Sequence, residues 1–170
     1  MDETIESKAI MDLLAKAKVL AQQYRALTGK PLGITGEVAE YEASRILGVN
    51  LTPARQAGYD AVETVDGAVR RLQIKGRCVL PGSKPSQRLG SIDVEKDFDA
   101  VLLVLLDGDF NATFIYEAGR ADVLRELAAP GSISRNERGA LGVRKFVSIA
   151  RLRWQRSKSD VAEGLLEVPA

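Results

Sequence analysis

The chain has 170 residues, 45% hydrophobic and 28% charged, with a net charge of +1, which is the composition of one globular domain with enough apolar residues for a proper core. It contains no histidine and one cysteine, Cys78. Those two counts exclude Ser-His-Asp and Cys-His catalysis, His- or Cys-ligated zinc and an internal disulfide framework, so chemistry must rest on carboxylates, amides, lysines and metals that prefer oxygen. No apolar run approaches the ~20 residues of a membrane span. The acidic opening Met1-Asp2-Glu3-Thr4-Ile5-Glu6 lacks the basic-then-apolar order of a signal peptide. The expectation is a cytoplasmic protein with no membrane partner.

In chain order, Ile10, Leu13, Leu14, Ala17, Leu20, Ala21 and Tyr24 recur at helical spacing and predict a helix from about Thr4 to Leu27, ended by Gly29-Lys30-Pro31. Thr35 is the expected N-cap of a second helix, Gly36 to Leu47, with Gly48 as its stop. A polar approach, Asn50 to Ala57, leads to a hairpin with strands near Tyr59–Val65 and Ala68–Val79. The pair Asp66-Gly67 is its two-residue turn.

Leu80 to Lys96 is a Pro-, Gly- and Ser-rich loop, long enough to suggest a function. Asp99 to Leu106 is a nearly continuous apolar run, as in a strand buried on both faces. Ala112 to Tyr116 reads as an antiparallel neighbour and Ala121 to Ala128 as a short helix. Gly142 to Trp154 fits both periods, with Val143, Phe146, Val147, Ala150 and Trp154 at helical spacing and Phe146, Ser148, Ala150 and Leu152 alternating. Of the two, helix is the expectation. The result is a mixed sheet with helices packed on it, of α/β or α+β type, in one domain over residues 1–158, with 159–170 a flexible tail.

The hairpin makes a geometric claim. If Asp66 and Gly67 are the turn, facing residue numbers sum to 133, so Asp60 opposes Gln73 and Lys75 follows on the same face. An acid, an amide and a lysine on one face suit a divalent metal acting on phosphate: Asp60 as ligand, the Ile74 carbonyl as a neutral oxygen, Gln73 as a weaker one, and Lys75 beside the reacting group. Glu37 and Glu40 lie three residues apart on the second helix, and Glu37 can complete the site if that helix covers the hairpin. The plainer alternatives are a dipole-favoured Glu37 and the wet face of an edge hairpin for Gln73 and Lys75.

Between Arg135 and Lys158 eight Lys or Arg residues, Arg144 and Lys145 among them, accompany one acid, Glu137. Such a block tracks phosphates or decorates a solvated helix. Arg55 and Arg77 are further candidates for nucleic-acid contact. Ser91 and Asp93 read as turn residues, Asp99 as a cap and Cys78 as a small core residue.

Glu37 on a helix, then Asp60, then Gln73-Ile74-Lys75 resembles the PD-(D/E)XK nuclease superfamily, of restriction-endonuclease-like fold, in the Gln-x-Lys version of its Mrr-type branch. The resemblance covers about residues 36–127 and implies a helix followed by a four-stranded mixed sheet with a helix crossing between strands, the first helix and the basic C-terminal part being additions. It implies Mg²⁺-dependent (or Mn²⁺-dependent) hydrolysis of DNA. Asp60 and Glu37 would be metal ligands, Gln73 the third site position and Lys75 the catalytic lysine. A homodimer is a further expectation. Gln73 removes one negative ligand, so a non-catalytic nucleic-acid-binding or interaction subunit on the same fold, in a restriction, repair or defence system, stays open beside the endonuclease.

Overall fold

The computed structural model describes residues 3–30, 32–53, 58–83, 87–130 and 140–157. Helix α1, Glu3–Thr28, ends where Gly29 turns left-handed (φ 68°) and donates its N–H to the Arg25 carbonyl. Helix α2, Thr35–Leu47, starts at Thr35 itself, so Ile34 is the cap residue and Thr35 does not serve as the predicted cap. The reason is packing. The Thr35 carbonyl lies where a Cβ on Gly76 would meet it at 2.7 Å, so this first turn is already held against the sheet. Gly48 ends α2 in the left-handed conformation, as its position predicts.

Six strands follow: β1 Asn50–Leu51, β2 Ala61–Val65, β3 Ala68–Cys78, β4 Ala100–Leu106, β5 Ala112–Gly119 and β6 Arg151–Gln155. They form one open sheet in sequence order, antiparallel throughout except for the parallel pair β3–β4. The architecture is α+β, with six strands where four were expected. Asn50–Leu51, expected as a loop, adds one edge, and the Gly142 to Trp154 segment adds the other. That segment uses both of its periods: α4, Val143–Ile149, is helical, and the alternating residues after Ala150 become β6. With α3, Arg120–Ala128, four helices lie among the described residues.

Both faces of the sheet are covered. Val38, Ala39 and Ala43 of α2 pack with Leu72, Ile74, Leu102 and Val104 on one face, while Val123 and Leu127 of α3 and Phe146 of α4 pack with Val101 and Leu103 on the other. Central β4 is therefore apolar on both sides, which explains its unbroken hydrophobic run. Truncating a fully buried ring such as Phe98 or Phe146 would cost about 3–5 kcal/mol. No helix among the described residues is long and apolar enough to cross a membrane.

The hairpin register is the predicted one, from Val65↔Ala68 to Ala61↔Leu72, around a turn in which Asp66 (φ 51°) and Gly67 (φ 80°) are both left-handed. The consequence for function is where the pairing stops. β2 begins at Ala61, but β3 runs on to Cys78, so among the described residues the outer edge of β3 beyond Leu72 has no strand partner.

Candidate functional site at the open edge of β3

A cleft of about 280 Å³ occupies that edge, lined by Thr35, Gly36 and Glu40 of α2, by Asp60, by Ile74 to Arg77 of β3, and by Gly90. Gly76 makes it possible. A Cβ there would stand 2.6 Å from the Ala39 Cβ, so only glycine lets α2 lie this close to the strand and bring its flank to the edge. Opposite α2, the loop after β3 is tied down by backbone bonds from Leu89 to Leu141 and from Val143 to Gln87. Gly90 sits against the Lys75 stem, 3.8 Å from its Cδ to where a Cβ would be.

Asp60 does not sit squarely across from Gln73. Its N–H donates to the Leu72 carbonyl (2.8 Å) and Thr52 donates twice to its carbonyl, which turns the carboxylate toward the strand edge. There Oδ2 accepts the Ile74 N–H at 2.7 Å. A strand residue sends its N–H and C=O to the same side, so the Ile74 carbonyl faces this edge as well. Asp60, Ile74 and Lys75 are therefore brought together as predicted.

Gln73 is beside the cleft but does not line it. Buried beneath the loop, its Nε2 donates to the Gly58 carbonyl (3.0 Å) and toward that of Asp93 (3.4 Å). Its Oε1 is buried with no hydrogen-bond partner. The amide orientation is dictated, since the reverse would set oxygen against two carbonyls. A carboxylate could not make these contacts, which gives glutamine a structural reason at this position. The orphan oxygen, at a cost of about 1–3 kcal/mol, is a neutral acceptor for a cation or donor.

Glu40, rather than Glu37, lines the cleft. Glu37 is exposed and contributes only its field. At 100° per residue the buried positions Val38, Ala39, Glu42 and Ala43 set the phase of α2, leaving Glu37 roughly 170° from their centre and Glu40 roughly 130°, on the flank. That phase was legible in the sequence, and it is the signal that separates the two acids. Burial, reinforced by Asp60 and Glu37 and opposed by Lys75, pushes the Glu40 carboxyl up to about 6.

The remaining candidates divide. Arg77 lines the cleft and donates to the Arg88 carbonyl. Arg88 is exposed and bridges Gly142, so it lies close to exposed Arg144 at the start of α4. Lys145 is exposed but paired with Glu126 at 3.0 Å. Arg55 lies outside the described residues, as do the N-terminal part of the basic block and the expected tail. Arg151 and Arg153 belong to an ion-pair network with Glu63 and Glu117 instead. Asp93 caps its own turn by accepting the Glu95 N–H, in keeping with the expected turn role, whereas Asp99, expected as a cap, accepts from the backbone N–H and guanidinium of Arg71 on the neighbouring strand. Cys78 is partly buried against the core.

Among the described residues no three Asp, Glu or Cys side chains are grouped so as to hold a metal ion by themselves. The oxygen set at the cleft is two carboxylates, Asp60 and Glu40, with the Ile74 carbonyl as a neutral donor; the Gln73 Oε1 is buried beside the cleft and outside its lining. The chemistry of the set suits Mg²⁺, which takes one or two carboxylates and keeps several waters.

No family model matches the chain. Kelch domain-containing protein 7A of Mus musculus is 32% identical over 104 residues, which cover 54% of this chain and 14% of that protein. The chain thus corresponds to a small part of that relative's length.

Proposed function

We propose that the protein is a divalent-metal-dependent endonuclease that hydrolyses DNA phosphodiester bonds, with Asp60, Glu40, Lys75 and the Ile74 carbonyl at its centre. The observation that carries this reading is the convergence of two carboxylates and a lysine on an open strand edge, where burial, reinforced by Asp60 and Glu37, pushes the Glu40 carboxyl up to about 6. The order of α2, the β2–β3 hairpin, parallel β4 and antiparallel β5 supports a restriction-endonuclease-like core, with α1, β1 and β6 as additions.

The residues have distinct tasks. Asp60 is pinned by the Ile74 N–H through one oxygen, so its carboxylate is oriented before any ligand arrives. Glu40 adds a second negative charge across the cleft. When bound here, a divalent cation supplies charge neutralisation at the phosphate and a more acidic water. Lys75 donates to a non-bridging phosphate oxygen and stabilises charge as it grows. Arg77, with Arg88 and Arg144 beyond it, forms a basic path for the flanking phosphates.

The test is cleavage of plasmid and branched DNA with Mg²⁺ or Mn²⁺, with Asp60→Ala and Lys75→Ala as controls. Metal-dependent cutting by the wild type, lost in both variants, is the expected result. A second reading has its own support: the Gln73 amide is committed to two backbone carbonyls, leaving only two carboxylates for a metal. On that reading the protein binds DNA without cutting it. Salt-sensitive binding with no cleavage under either metal would favour it, and absence of both binding and cleavage would end the nucleic-acid reading.

A further inference from the structure

Helix α1 has more apolar surface than its own fold uses. It docks through one stripe: Ala21 is fully buried, Lys18 reaches Glu42 (3.3 Å) and Asn111 (3.0 Å), and Gln22 and Arg25 donate to the carbonyls of Asp109 and Gly108. A second stripe, Ile10, Leu13, Ala17, Leu20, Tyr24 and Leu27, lies roughly 110° around the helix. Its leucines are open to solvent, with Leu13 at 64%, Leu20 at 58% and Leu27 at 87% exposure. The alternating spacing of three and four is a heptad repeat, with Ile10, Ala17 and Tyr24 at a and three leucines at d. Such a seam fits the side chains of another helix better than a strand or loop.

We propose that this seam is a self-association surface on which α1 of a second copy packs antiparallel. Antiparallel helices set a against d. An alignment in which paired numbers sum to 37 places Ile10 on Leu27, Leu13 on Tyr24 and Ala17 on Leu20, and by symmetry fills all six layers with none left over. Charge selects the same direction. In the N-terminal half Asp2, Glu3, Glu6 and Asp12 outnumber Lys8, while in the C-terminal half Lys18 and Arg25 serve α1's own docking and Lys16 and the following Lys30 are the cations outside that stripe. Antiparallel packing brings opposite signs together, whereas parallel packing aligns like with like. The exposed large side chains of the seam present on the order of 600 Å² per copy, somewhat less than the about 800 Å² per partner of a standard stable interface. The expected complex is a reversible dimer, and it does not depend on the reading of the cleft.

Sedimentation equilibrium of the full chain from about 1 to 100 μM tests this, the range in which an interface of this size dissociates. A monomer–dimer equilibrium is expected. The double variant Leu13→Glu, Leu20→Glu should weaken it at least tenfold with an unchanged circular-dichroism melt, because both side chains are exposed in the monomer. Direction is tested by disulfide trapping in a Cys78→Ala background. A mixture of Ile10→Cys and Leu27→Cys proteins should cross-link, and neither should do so alone, since identical positions in antiparallel copies lie about 25 Å apart. A monomer across the range, a disulfide from either variant alone, or cross-links from α1 only to residues 158–170 of the same chain would each overturn the proposal.

Discussion

Strand β3 carries two acidic clusters, one at Arg70 and one at Lys75, roughly 17 Å apart along the strand. At Arg70, Glu63 and Glu117 meet the guanidinium groups of Arg70, Arg151 and Arg153. Burial pushes the Glu117 carboxyl up, but bonds from Arg70 and Arg153 outweigh it and hold it below the usual range. At Lys75, Glu40 and Asp60 face one lysine and Glu40 is pushed up. The first cluster is compensated within the fold and joins β2, β3, β5 and β6. The second leaves negative charge uncompensated at an accessible cleft. Similar side chains thus serve architecture in one place and are poised for a ligand in the other.

The comparison is broken most severely by removing the acid from the compensated cluster. Glu117→Ala leaves three arginines without their shared partner and should cost about 3 kcal/mol in denaturant unfolding, while leaving Mg²⁺ binding unchanged. In the open cluster the matching change acts on function. Asp60→Ala should cut the proposed cleavage at least 100-fold, about 3 kcal/mol of barrier, and remove any Mg²⁺-induced rise in Tm, while costing about 1 kcal/mol of stability through the lost Ile74 bond.

Gln73→Glu tests why an amide stands between the clusters. A carboxylate facing the Gly58 and Asp93 carbonyls should destabilise the fold by about 1–3 kcal/mol at pH 7. Titration should restore much of that loss toward pH 4, where the new side chain is protonated.

The smallest effect belongs to Glu40. Its carboxyl is raised from 4.5 to about 6, so the folded state binds the proton more tightly, and this contribution to stability is present below pH 4.5 and lost as pH rises through 6. Half exposure screens the effect to at most about 1 kcal/mol. Glu40→Gln should therefore stabilise the metal-free protein slightly at pH 8, and Mg²⁺ should raise the wild-type Tm more at pH 7 than at pH 5. The compensated cluster titrates with the opposite sign: Glu117, held low, contributes stability above the ordinary carboxylate range that is lost as pH falls.

Local signals in the chain were sufficient for much of this. Asp66-Gly67 determines the hairpin register because two left-handed residues in a row admit one tight turn, and that register brings Asp60 to the Ile74–Lys75 stretch. The period of α1, the doubly buried β4 and the missing histidines were equally readable. Gly142 to Trp154 carried two overlapping periods, and tertiary packing split it, burying Phe146 against α3 and pairing Arg151–Gln155 with β5.

Only the three-dimensional arrangement decided the rest. The phase of α2 ranks Glu40 nearer the buried face than Glu37, but that Glu40 lines a cleft needed the close approach of the helix over Gly76. The role of Gln73 depended on carbonyls 15 and 20 residues away, and the pairing of Glu117 with Arg70 spans 47 residues. Periodicity and turn chemistry act between near neighbours and can be read along the chain. Desolvation and charge compensation depend on which distant groups arrive beside a side chain, and that is settled when the sheet and helices pack.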